Sequence, residues 1–115
     1  MAIYNELPVF KASYDLLLDI YRFSSTLTRE YKYTIGERLK NETLELIILI
    51  YRANTAISKG ETIQKAREYV EMLRLLIRVL KDLKQINLKS FVRVNNQIEN
   101  VSKQLTGWQK SVKSS

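Results

Sequence analysis

The 115-residue chain contains no cysteine and no histidine. The first absence excludes disulfides, thiolate metal sites and cysteine nucleophiles; the second removes the commonest general base and metal ligand. Pro8 is the single proline and there are three glycines, so little in the sequence interrupts helices. The longest fully apolar run, Leu46 to Tyr51, falls far short of the roughly 20 residues of a membrane span. Acids and Pro8 stand near the N-terminus where a signal peptide would carry its apolar region, so the expectation is an unprocessed cytoplasmic protein with no membrane partner. Phosphate-binding glycine loops, nucleophile elbows, metal-ligand spacings and internal repeats are also missing. These absences argue against an enzyme and leave no expected cofactor or metal.

What the chain does have is charge, unevenly placed. The net charge is +7 and the sequence pI about 9.7. Residues 1–71 balance ten Lys/Arg with ten Asp/Glu, whereas residues 72–115 hold nine Lys/Arg against Asp82 and Glu99. Such a split predicts a face that attracts polyanions, nucleic acid first and an anionic membrane second. With 45% hydrophobic residues, the length is that of one domain with a core of its own.

Apolar spacing predicts four helices, at about 8–31, 35–58, 61–85 and 88–112. In the first, Pro8 suits the opening turn, and Phe10, Tyr14, Leu17, Tyr21 and Thr28 form a stripe that Leu16, Ile20, Phe23 and Leu27 widen. Asp15 and Asp19 lie on its remaining side and read as a wet face, because no third acid or histidine joins them. Thr34 and Glu37 have the spacing of a capping box for the second helix. That helix shows two apolar faces, Ile35, Leu39, Leu46, Ile50, Ala53 and Ile57 on one and Leu44, Ile47, Ile48 and Tyr51 on the other. Both must be buried, and a neighbouring subunit is the expected cover for the second, together with Ile20 and Phe23 of the first helix. Gly60 suits a left-handed stop before the third helix.

The third helix gathers Tyr69, Met72, Leu73, Leu76, Leu80 and Leu83 on one side and Arg67, Arg74, Arg78 and Lys81 on the opposite one. Glu71 and Asp82, three and four residues from arginines, offer a plainer account of that basic arc as a solvated surface. In the fourth helix, capped by Asn87 or Ser90, Phe91, Val94, Ile98, Val101, Leu105, Trp108 and Val112 recur as a heptad seam. Its other face, with Lys89, Arg93, Asn96, Asn100, Lys103 and Lys110, interleaves cations and amides. The tail from Ser111 to Ser115 is expected to fray. Four such helices joined by short turns make an all-α, up-down-up-down antiparallel four-helix bundle.

The segments Leu7-Pro8-Val9-Phe10-Lys11-Ala12-Ser13-Tyr14, Tyr33-Thr34-Ile35-Gly36, Leu73-Arg74-Leu75-Leu76-Ile77-Arg78-Val79-Leu80 and Leu105-Thr106-Gly107-Trp108 resemble the accessory variability determinant (Avd) family of diversity-generating retroelements. That family is similar to the four-helix bundle proteins of ribosomal RNA intervening sequences. Those usually carry an Asn-Ile-Ala-Glu-Gly segment, which is missing from the equivalent Ile48-Leu49-Ile50-Tyr51-Arg52-Ala53-Asn54. The resemblance implies a pentameric, positively charged barrel that partners a reverse transcriptase, binds RNA or DNA and is required for mutagenic retrohoming. By position, it implies that Arg74 and Arg78 contact phosphate or enzyme, and Arg67, Lys81, Lys84, Arg93 and Lys103 join them as expected site residues. Two other readings stay open: an interaction bundle of the intervening-sequence type without a retroelement role, and a protein drawn to membrane surfaces by charge.

Overall fold

Helices form the only regular structure among residues 6–114, the part of the chain that this computed structural model describes. They are α1 (Pro8–Ser24), the single turn α2 (Arg29–Lys32), α3 (Ile35–Ala53), α4 (Lys59–Asp82) and α5 (Leu88–Ser114). Helix α3 packs on α1 and α4, and α5 packs on α4 and α1, so the four long helices close a ring around one core. Between α4 and α5, Arg67 meets Gln109, Arg74 meets Glu99 and Lys81 meets Phe91. Numbers rise on one helix as they fall on the other, which is an antiparallel register. Lys40 over the ring of Tyr21 shows the same for the end of α1 and the start of α3. No helix among the described residues is long and apolar enough to cross a membrane.

The core consists of one stripe from each long helix: Val9, Leu16 and Ile20; Leu39, Leu46, Ile50 and Ala53; Ile63, Ala66, Val70, Leu73, Ile77 and Leu80; Val94, Ile98, Val101 and Leu105. The heptad seam of α5 lies where its spacing placed it. Two other stripes are rotated from expectation. In α1, Tyr14 and Tyr21 stand outside while Leu16 and Ile20 are fully buried. In α4 the buried line runs through Ile63, Ala66, Val70 and Ile77, and Leu83 is exposed. Small residues in these stripes hide them from a pattern reading. Polar ones are also taken into the core: Ser13 and Thr43 are fully buried, each turning its hydroxyl back onto a helix carbonyl, Val9 O at 2.9 Å and Leu39 O at 2.7 Å.

The helix ends depart further. Helix α1 stops at Ser24 because the following hydroxyls compete for its last carbonyls: Ser25 Oγ donates to Arg22 O and Thr26 Oγ1 to Phe23 O, both at 2.7 Å. Leu27 then turns into the core, and Thr28 is fixed by Gln85, whose Oε1 accepts from its N–H at 3.1 Å and its hydroxyl at 3.2 Å. The Thr34–Glu37 capping box does not form; Thr34 Oγ1 donates back to Glu30 O, and Glu37 pairs with Lys40. Gly60 lies inside α4, and no glycine has a positive φ. The end of α3 is closed instead by the Lys59 ammonium, which donates to the carbonyls of Ala53 (3.2 Å), Asn54 (2.9 Å) and Ala56 (3.4 Å). Residues Ser111 to Ser114 continue α5 where a frayed tail was expected; Ser115 lies outside the described residues.

Lys84 takes the left-handed position after α4, at φ 60°, the single positive φ among the described residues. The N–H of Gln85 donates to Leu80 O and that of Lys84 to Lys81 O, the bond pair of a Schellman stop. Asn87 Oδ1 then accepts from the N–H of Ser90 at 2.8 Å and caps α5. Because a left-handed residue with a Cβ costs about 1–2 kcal/mol, Lys84→Gly should raise stability by about 1 kcal/mol in urea titration. At Gly36 an added Cβ would meet Leu27 Cδ1 at 3.0 Å and Tyr31 O at 3.1 Å. Gly36→Ala should therefore lower stability by the same assay, despite the better helix propensity of alanine.

Candidate nucleic-acid interface

Rotation of α4 carries its arginines to the flank beside α5 and leaves Leu75 opposite the core. The seven expected contact residues consequently have different surroundings. Arg67 is half-buried and donates to Gln109, whose amide in turn donates to Gly60 O (3.3 Å) and Gln64 Oε1 (3.1 Å). This network ties the start of α4 to the end of α5. Arg74 bridges the same helices, donating to Glu99 at 2.6 Å and also to Glu71. The hydrogen bond to Glu99 holds its guanidinium above the usual pKa, aided by that to Glu71 and opposed by burial. Arg93 donates to both oxygens of Asp19, at 3.1 and 3.0 Å.

The remaining four residues are freer. Arg78 has Asp82 at 3.8 Å, but both side chains are more than two-thirds open to solvent, a pair worth at most about 1 kcal/mol. Lys81 lies 4.7 Å from the centre of the Phe91 ring, with its charge at the surface. Lys84 and Lys103 are exposed, and neither has an ion pair among the described residues. Lys89, exposed on the first turn of α5, adds a fifth cation of this kind. The structure thus separates Arg74 from Arg78, which the sequence had paired: the first braces two helices, the second faces water.

Asp19, read from the sequence as part of a wet face, is instead largely enclosed and tied to another helix. Its side chain is 12% exposed and accepts from Arg22, Arg93 and, at 2.8 Å, Gln97. The partners on α5 are 74 and 78 residues away, so nothing local signals them. Asp19 also lines an open cleft of ≈ 560 Å³, with Arg22, Phe23, Gln85, Ile86 and Arg93 among others. Asp15 pairs with Lys11, at 3.7 Å on the open surface. Among the described residues no group of His, Cys, Asp and Glu could hold a metal ion.

The opposite flank, between α1 and α3, is apolar and aromatic. Leu44 and Tyr51 are exposed there, Ile48 is half-buried, and Ile47 is nearly closed off. The expected contributions of Ile20 and Phe23 need correction: Ile20 is fully buried in the core and Phe23 packs against it. Their places on this face go to Tyr14, Leu18 and Tyr21, which point outward because Leu16 and Ile20 point in.

The sequence model of one family, described as bAvd-like, matches residues 9–112. No curated protein matches the chain.

If Arg74 is a brace, a double-mutant cycle between Arg74→Gln and Glu99→Gln should return a coupling of about 0.2–1 kcal/mol in unfolding free energy. Lys103→Gln should change stability by less than about 0.5 kcal/mol.

Proposed function

Because the chain belongs to the bAvd-like family, we propose that it is a non-enzymatic accessory protein of a diversity-generating retroelement. In this reading it binds a reverse transcriptase and RNA or DNA through its cationic surface during mutagenic retrohoming, in the cytoplasm. Members of such accessory families are generally non-catalytic, and the chemistry of copying is left to the polymerase. The observation that carries the reading is the set of exposed cations on α4, α5 and the turn between them: Arg78, Lys81, Lys84, Lys89 and Lys103, with Asp82 as the one acid paired to any of them among the described residues. Phosphate contacts of this kind position a template without reading its bases, and each displaces condensed counterions.

One bundle offers too few such contacts for tight binding at cellular salt, since affinity grows with the number of phosphates neutralised. Joining subunits through the α1–α3 face multiplies the cations. The exposed Tyr14, Leu18, Tyr21, Leu44 and Tyr51 support that mode of assembly, and we take the closed form to be a pentamer. In this arrangement Arg67, Arg74 and Arg93 act indirectly, fixing the helices that present the freer charges.

Binding of a structured RNA, followed by fluorescence anisotropy across salt concentrations, tests the reading. The logarithm of affinity should fall linearly with that of salt. Lys103→Gln should flatten the slope by about 0.7–0.9 for every phosphate left without its cation, while Arg74→Gln leaves it unchanged. Salt-independent binding, or equal effects of the two substitutions, would overturn it, as would failure to co-purify with the reverse transcriptase of the same retroelement.

A further inference from the structure

The cationic surface is not uniform along its length. Toward the α4–α5 turn, cations share the surface with aliphatic side chains: Leu88 is 69% exposed, Leu75 56%, Val92 46% and Leu83 39%. Toward the middle of α5 the surface is polar, with Asn96, Asn100, Ser102, Lys103 and Glu99, the last already held by Arg74, around a shallow recess. The two compositions suit different partners. Phosphates have no use for exposed leucines, and bases stack on exposed aromatic rings, whereas Phe91, the ring beside these cations, is half-buried beneath Lys81. Apolar side chains set among charges of one sign are what a protein interface presents.

At about 100° per residue, Leu75 and Val79 share one line along α4, and Leu88 and Val92 share another along α5. Arg78 and Lys81 lie between the two lines, on the α5 flank of α4. Packed helices stand about 8–10 Å apart, close to the width of one more helix laid over the groove between them. Among the described residues, the one ion pair made by the cations near it, Arg78, Lys81, Lys84 and Lys89, is that of Arg78 with the exposed Asp82 at 3.8 Å. Lys84 adds an independent sign. Its left-handed φ of 60° is where glycine would sit without strain, yet the chain keeps a charge at the tip of the turn.

We infer that the groove at the α4–α5 turn docks an acidic helix of a partner protein, whose docked face sets carboxylates over Arg78 and Lys81 and flanks them with apolar residues on the two aliphatic lines. The Lys103 stretch is left for nucleic acid. The inference rests on the accessory reading above and divides its basic surface between the two partners.

The test uses the full chain with Leu88→Ser and Val92→Ser together. Both residues are exposed, so helicity by circular dichroism and mass by light scattering should match the unaltered protein. Affinity for the reverse transcriptase of the same retroelement should fall at least tenfold while affinity for a structured RNA stays within twofold. Lys103→Glu should show the reverse. Undiminished binding of the enzyme, a parallel loss of RNA, or a change in mass that marks the groove as a contact between copies would each overturn the inference. So would flotation with vesicles of anionic lipid that depends on Leu88 and Val92, which would assign the groove to a membrane surface. Should the unaltered protein fail to bind the enzyme at all, the accessory reading falls. The groove is then judged on a synthetic 18-residue helix of leucine and glutamate against its scrambled version: preference for the ordered peptide, lost in the double variant, sustains the groove, and equal binding of both rejects it.

Discussion

Six buried side chains, Ile63, Ala66, Val70, Leu73, Ile77 and Leu80, set the rotation of α4 about its own axis, and the surface of the protein follows from that angle. Burying a leucine or isoleucine contributes about 1.5–3 kcal/mol, against at most about 1 kcal/mol for an exposed ion pair. The apolar stripe therefore decides which way the helix faces, and the arginines take the positions left to them. Arg67 and Arg74 fall on the α5 flank, where Gln109 and Glu99 meet them, and Leu75 falls opposite the core. A turn of α4 by one residue would exchange a brace for a binding group without altering its amino acid.

A division of labour among the charges follows. Acids are plentiful in residues 1–71, and Asp15, Asp19, Glu37 and Glu42 each engage a cation. Asp19 reaches beyond that half to hold Arg93, and Glu71 and Glu99 hold Arg74. With these used internally, the excess of positive charge rests on α4 and α5 near the turn and along the outer face of α5. The aromatic face between α1 and α3 lies across the bundle from it, so one side is suited to self-association and the other to anionic partners.

Much of this was legible in the sequence and the limits have physical causes. The bundle, the α5 seam and the Asn87 cap follow from spacing and residue type. The rotations of α1 and α4 do not. Apolar residues cover more than half of each circumference, and the true stripes pass through Ser13, Ala66 and their neighbours, which a search for large hydrophobes overlooks. Gly60 and the Thr34–Glu37 pair are sound local signals overridden by neighbouring contacts, the Lys59 ammonium on three carbonyls and the packing of Leu27 beside Gly36. The wet-face reading of Asp19 failed because its partners, Arg93 and Gln97, are distant in sequence and close in space.

The central claim is that assembly is apolar and nucleic-acid binding electrostatic, on separate faces. Size exclusion with light scattering, run with and without a structured RNA at about 50 and 500 mM salt, tests it most directly. The free protein should have one mass at both concentrations, near five 13.5 kDa chains, and form an RNA complex at the lower concentration only. An oligomer that dissociates as salt rises, or an RNA complex that survives it, would contradict the claim.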